Sequence, residues 1–185
     1  MCSSDLAADD NIGHSSRATD FITPKNAASR AFRDAVLRLS REYAFARPLI
    51  NSGRLSTPTP YPESPLNTAD VDAFEGSMRP GTNCCDAPVR VAGRDGWLLH
   101  QLRGDFVAMV MGDASPGVIE VEGIPCRVLR IGIDLEDSRG MIAARYDLRP
   151  GTTYLIRPDQ HVAARWRHFD IGAITAAVRR ATARP

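Results

Sequence analysis

The chain has 185 residues, 43% of them hydrophobic and 24% charged, the balance of a soluble globular protein. Its 23 basic and 22 acidic side chains leave a formal charge of +1, which gives no electrostatic case for nucleic acid or an anionic membrane. The longest apolar run, 106–111, is far short of the roughly 20 residues of a membrane span, and the first ten residues have no apolar stretch of the secretory kind, so a cytoplasmic protein is expected.

A chain of this length buries roughly 70% of the surface its unfolded form exposes, so it needs neither a metal nor a disulfide to fold. Of the basic residues only Lys25 is a lysine, a skew better explained by a GC-rich, bacterial genome than by physics. The four cysteines are Cys2, Cys84, Cys85 and Cys126. Adjacent Cys84 and Cys85 bridge each other only with strain, and reduced thiols are the expectation.

Three parts follow in order: a helical segment over 1–47, a proline-rich connector over 48–88, and a domain over 89–185. In the first, a short helix is expected near 10–20. Thr23-Pro24 then reads as an N-cap followed by a proline at the first helical position. Ala28, Phe32, Ala35, Val36, Leu39 and Tyr43 recur at spacings of three and four, with Arg30, Arg33, Asp34, Arg38, Arg41 and Glu42 between them. That pattern predicts an amphipathic helix from Pro24 to Phe45.

The connector holds seven of the thirteen prolines. Each removes a donor and biases its predecessor away from the helix, so the chain there should run extended over a surface. Tyr61, Leu66 and Phe74 give it side chains with which to dock.

From residue 89 short strands and helices alternate. Strands are expected over 105–111, 126–131, 152–157 and 161–166, and helices over 96–102, 138–145 and 171–183. Pro158-Asp159-Gln160 is a compact turn that makes the last two strands an antiparallel hairpin. Strand, connection, strand, helix, hairpin, helix is the plan of an α/β, thioredoxin-like domain.

No candidate chemistry survives inspection of the residues. A redox site on this plan needs two thiols just after the strand at 105–111. The residues there are Gly112-Asp113-Ala114-Ser115-Pro116-Gly117, so the redox cysteine motif is lacking. Cys84 and Cys85 come some twenty residues too early and read as incidental loop cysteines. His14, His100, His161 and His168 have no metal-ligand spacing and read as structural. Gly112-Asp113-Ala114 resembles a flavin-type Gly-Asp segment, but no Gly-rich strand-to-helix turn stands upstream to cradle a pyrophosphate. Arg165, Arg167, Arg179, Arg180 and Arg184 read as the solvated face of the last helix. No catalytic, cofactor-binding or metal residue is assigned.

Several stretches together resemble the C-terminal portion of FAD-dependent aromatic-ring hydroxylases, the group of phenol hydroxylase, pentachlorophenol monooxygenase and hydroxyphenylpropionate hydroxylase. They are Asp10-Asn11-Ile12, Arg17-Ala18-Thr19-Asp20-Phe21-Ile22-Thr23-Pro24, Ala46-Arg47-Pro48-Leu49, Asn51-Ser52-Gly53-Arg54-Leu55-Ser56 and Ser64-Pro65-Leu66-Asn67-Thr68. Arg79-Pro80-Gly81, Asp86-Ala87-Pro88-Val89 and the stretch Tyr154-Leu155-Ile156-Arg157-Pro158-Asp159-Gln160-His161-Val162-Ala163-Ala164-Arg165-Trp166 continue the same order.

The resemblance implies a large flavoprotein using FAD and NAD(P)H to hydroxylate an aromatic ring, closed by a thioredoxin-like domain without redox cysteines. It also implies that residues up to about Pro24 end the long helix of the flavin-binding part. The family's flavin motifs lie upstream of that helix, whereas Gly112-Asp113 lies downstream, so none is carried over to this sequence.

The chain is therefore expected to be a C-terminal segment of such a monooxygenase, a structural and self-association module with no flavin site of its own. Its partners would be a second copy or a flavin-binding part. The alternatives are a free-standing thioredoxin-like module that recruits a protein partner, and a small thiol enzyme using Cys84 or Cys85.

Overall fold

The computed structural model describes residues 3–50 and 58–184, so Cys2 and the stretch Asn51-Ser52-Gly53-Arg54-Leu55-Ser56 lie outside the described residues. The chain divides into two compact units, Met1–Thr59 and Pro60–Pro185. Helices come first and a mixed sheet follows, as expected of an α/β chain. No helix among the described residues is long and apolar enough to cross a membrane.

The first unit holds α1 (Ser3–Ile22), α2 (Ala27–Glu42), a 3-10 turn at Ala44–Ala46 and α3 (Arg47–Ile50). Thr23 does not cap the second helix. Its amide and hydroxyl both donate to Thr19 O, at 2.8 and 2.7 Å, and so finish α1. Asn26 is the cap instead, its Oδ1 accepting from Ser29 N at 2.8 Å. An Asn three residues before a free N–H meets that donor better than a Thr already committed to the preceding turn. The periodic helix is present, but Val36 is the buried residue of α2. Phe32, Leu39 and Tyr43 are exposed.

The second unit contains β1 (Pro88–Val91), β2 (Arg94–Trp97), α4 (Leu98–Gln101), β3 (Phe106–Met111), β4 (Val118–Val121), β5 (Ile124–Ile131), α5 (Met141–Arg145), β6 (Thr153–Ile156), β7 (Val162–Trp166) and α6 (Ile171–Ala181). Five strands form one sheet in the order β4-β5-β3-β6-β7. β3 and β5 are parallel, and every other neighbouring pair is antiparallel.

Strand β3 is apolar throughout because both of its faces are covered. Phe106, Ala108 and Val110 join one cluster with Ile174, Ala177 and Val178 of α6. Val107, Met109 and Met111 face the other way, toward Leu98, Leu102, Ile142 and Tyr146. The 158–160 turn joins β6 to β7 as expected, with Gln160 at φ 63° and a register shift at Leu155/Ile156.

Two tight hairpins were not expected. β1 and β2 turn through Ala92-Gly93, and β4 and β5 through Glu122-Gly123, all four residues with positive φ. That is the type I′ geometry whose twist matches the flanking strands. The first hairpin converts the start of the helix expected over 96–102 into β2, leaving α4 as a single turn.

The proline-bearing segment 60–87 lies against β7 and folds as part of the second unit. Its Thr68 and Gly81 amides donate to Ala163 O and Val162 O at 2.9 and 2.8 Å. Val162 N donates to Thr82 O and Cys84 N to Gln160 O, at 2.9 and 2.8 Å. The segment also folds on itself, with Tyr61 N donating to Gly81 O at 2.7 Å.

Glycine is required at 81. Its φ is +87°, and a Cβ there would stand 2.2 Å from Tyr61 O. Backbone cannot give way as a flexible side chain does. Gly81→Ala should therefore cost at least about 3 kcal/mol in urea unfolding, from overlap and left-handed strain together. A loss below about 1 kcal/mol would show that Tyr61 is not held over Gly81.

Candidate functional site

The loop after β3, where the expected fold would carry redox thiols, runs Gly112-Asp113-Ala114-Ser115-Pro116-Gly117 with a cis Ser115–Pro116 bond. Gly112 N donates to Ile131 O at 3.1 Å and extends the ladder between β3 and β5. The Asp113 carboxylate is solvent-exposed and stands 3.6 Å from Arg130 Nη1. A strand-closing turn is what these contacts make.

Cys84 lies between elements, as a loop cysteine, but it is not exposed. It sits in the core cluster with Met109 and Tyr146, 5% exposed. Burial pushes its thiol up to about 12, against a small opposing effect of the Tyr146 hydroxyl. Cys126, buried in β5, is likewise pushed up to about 12 by burial. A thiol so raised has little thiolate at neutral pH to act as a nucleophile. Cys85 is half-buried, and its carbonyl accepts from Tyr146 Oη at 2.7 Å. Cys84, Cys85 and Cys126 are all free.

His161 is buried at the start of β7, its ring centroid 5.3 Å from that of Tyr61. Its Nδ1 lies 3.2 Å from Asp159 O and 3.4 Å from Asp159 Oδ1. Arg157 also pairs with the Asp159 carboxylate. Partial burial raises the Asp159 pKa, but His161 and Arg157 outweigh it and hold the carboxyl at about 2. These bonds brace the β6–β7 turn, where Gln160 Nε2 donates to Leu99 O at 2.7 Å. Among the described residues no group of three or more His, Cys, Asp and Glu is placed to hold a metal ion.

Two of the five C-terminal arginines are not on a solvated helix face. Arg165 lies in β7 with its side chain 6% exposed, and Asp70 meets it in two bonds of 2.9 and 2.6 Å. Arg165 Nη1 also donates to Met78 O at 3.0 Å. Arg167 pairs with Asp147, and its amide donates to Asp72 Oδ2 at 2.9 Å. Both guanidiniums lie over the Phe74 ring, 4.3 and 3.8 Å from its centroid. The sequence shows Asp70 and Phe74 only as polar and apolar points on a connector. Nothing in the spacing says that they meet Arg165, some ninety residues on.

A nucleotide cofactor such as FAD needs free backbone N–H groups at a helix N-terminus to take its pyrophosphate. At four helices one such group is bonded to a side chain of this chain. Asn26 caps α2, Asp86 Oδ1 accepts from Leu99 N at 3.0 Å at the start of α4, and Asp137 Oδ2 accepts from Ala143 N at 2.9 Å in α5. Asp170 Oδ1 accepts from Ala173 N at 3.0 Å in α6. Three of these four acceptors are carboxylates, and two of the four, Asn26 and Asp170, are the N-cap residues themselves. A cleft of about 820 Å³ in the first unit is lined by Arg17, Phe21, Arg33, Leu37 and Leu49 among others.

Solved structures share this fold. The ternary complex of aklavinone-11 hydroxylase with FAD and aklavinone is 20% identical with a TM-score of 0.59, over 82% of this chain and 34% of that one. The flavin-dependent monooxygenase PieE in complex with FAD and substrate is 21% identical with a TM-score of 0.57, over 90% and 32%. The rebeccamycin biosynthetic enzyme RebC with reduced flavin is 19% identical with a TM-score of 0.58, over 95% and 35%. This chain spans about a third of the length of each of the three. The resemblance to flavin-dependent aromatic hydroxylases read from the sequence is thereby borne out at the level of fold. No family model and no curated protein matches the chain.

The carboxyl of Asp159 titrates far below its unfolded value of about 3.9. Its pairing therefore adds stability that is complete above about pH 4 and is lost as pH falls toward 2. Melting temperature followed from pH 5 to pH 2 should fall less steeply in Asp159→Asn than in the parent chain. Parallel curves would remove Asp159 from the account.

Proposed function

We propose that this chain is a C-terminal segment of a flavin-dependent aromatic-ring monooxygenase and serves as a structural and self-association module within it. The carrying observation is the shared fold: the chain aligns over most of its length with a third of each of several flavin-dependent enzymes. The strand order β5-β3-β6-β7, with the first pair parallel and α6 following the last hairpin, supports a thioredoxin-like plan. In the parent, the flavin would supply NAD(P)H-driven oxygen activation and hydroxylate an aromatic ring. The residues of this chain contribute packing and position rather than contact with the reacting atoms.

The capped helix N-termini give this reading its first test. Titration of the purified chain with FAD should give no saturable quenching of flavin fluorescence. Binding in the micromolar range, about −8 kcal/mol, would overturn it.

Self-association rests on α2 and the residue after it: Phe32 is 59%, Leu39 41% and Tyr43 50% exposed. Each large apolar side chain left in water forgoes about 1.5–3 kcal/mol of burial, and a contiguous patch of them favours association. Light scattering should find a dimer or larger species that becomes a monomer in Phe32→Asp with Leu39→Asp. A parent chain that is already monomeric at high concentration would sink the self-association reading and leave the family reading intact.

A further inference from the structure

The cleft of the first unit is built by three helices. On α1, His14, Arg17 and Phe21 follow one another at spacings of three and four, so they share one stripe of the helix. Arg33 and Leu37, one turn apart on α2, and Leu49 of α3 add to the wall. Its volume of about 820 Å³ is that of a small-molecule site, and such sites are mostly apolar with a few polar groups that fix orientation.

The charge in this wall has one sign. Its ionisable side chains are His14, Arg17 and Arg33, and every other residue lining it is apolar. An amphipathic helix ordinarily turns apolar side chains toward its neighbours, yet two positions of the α1 stripe are basic. Arg17 forms no ion pair among the described residues. Arg33 gives Nε and Nη2 to Asp34 Oδ1, at 3.0 and 2.9 Å, and its Nη1 stands 3.5 Å from Ile22 O. One carboxylate against two guanidiniums leaves positive charge uncompensated beside an apolar wall. Leu37 and Leu49 are exposed there, so covering them with an apolar chain is favourable.

We propose that this cleft binds an aliphatic chain ending in a carboxylate, the chain against Phe21, Leu37 and Leu49 and the carboxylate at Arg17 and Arg33. A carboxylate meets a guanidinium in charge-assisted bonds, which are stronger than neutral ones. Arg17 is exposed and Arg33 half-buried, so the charged end keeps contact with water while the chain leaves it. Phe21 is the one aromatic hydrocarbon side chain in an otherwise aliphatic wall, which favours a flexible chain over a stacked ring. Phe32, Leu39 and Tyr43 do not line the cleft, so the site is separate from the exposed patch of α2. Nothing in it depends on the chain being part of a monooxygenase.

Isothermal titration of the purified chain with decanoate, below its micelle threshold, should show saturable binding. Decyltrimethylammonium carries the same length of chain on a cation and should bind at least about tenfold more weakly, since it meets like charge. This comparison needs no variant, so a poorly folded substitution cannot decide it. In Arg17→Gln with Arg33→Gln the two ligands should bind alike. Leu37→Asp should weaken decanoate by at least about tenfold, whereas Leu39→Asp, outside the cleft, should leave it unchanged. Absence of saturable decanoate binding would overturn the proposal, as would equal affinity for the two ligands in the parent chain. Decanoate binding that ignores the arginine substitutions, or that falls as far in Leu39→Asp as in Leu37→Asp, would place the ligand elsewhere and overturn it too. None of these outcomes touches the family reading, which the FAD titration tests.

Discussion

Strand β3 runs through the middle of the sheet with apolar side chains on both faces, and each face demands a cover. On one side α6 supplies it with Ile174, Ala177 and Val178. On the other side α5 and the single turn of α4 bring Ile142, Tyr146, Leu98 and Leu102. Met78 and Cys84 of the proline-bearing segment complete that second layer. Cys84 is therefore a packing residue, and its raised pKa is a consequence of the cover it provides.

Asn26 and Asp170 cap α2 and α6, and the carboxylates of Asp86 and Asp137 accept from Leu99 N and Ala143 N in α4 and α5. The polar groups that remain are used to tie one piece of backbone to another. Arg165, Arg167, Asp70 and Asp147 form a network around Phe74, and His161 with Asp159 braces a turn. Removing Asp70 would take from the buried Arg165 guanidinium its carboxylate partner. Such groups stabilise a shape, which accords with a chain whose shared fold accounts for a third of much larger flavin-dependent proteins.

Much of this was legible in the residues, and the failures have particular causes. The unbroken apolar run 106–111 and the turn at 158–160 pointed to the right strands, because apolar runs and turn chemistry act over a few residues. The type I′ turns at Ala92-Gly93 and Glu122-Gly123 were missed because Ala and Glu stand where Asn or Asp usually signals a left-handed residue. Thr23-Pro24 passed for a helix start when it is a helix end, since the deciding bonds to Thr19 O need the preceding helix in place.

By itself the sequence determined the helical first part, the α/β character of the second, the apolar strand at its centre, and the absence of a Gly-rich dinucleotide turn. These depend on neighbours along the chain. Only the tertiary structure decided that the 60–87 stretch belongs to the sheet, that Cys84 and Arg165 are interior, and that the exposed face of α2 leaves Val36 as its buried residue. Each of those is a long-range fact. Asp70 and Arg165 are drawn together by the cost of burying a guanidinium unpaired, and no local pattern in either stretch records that the other will be there.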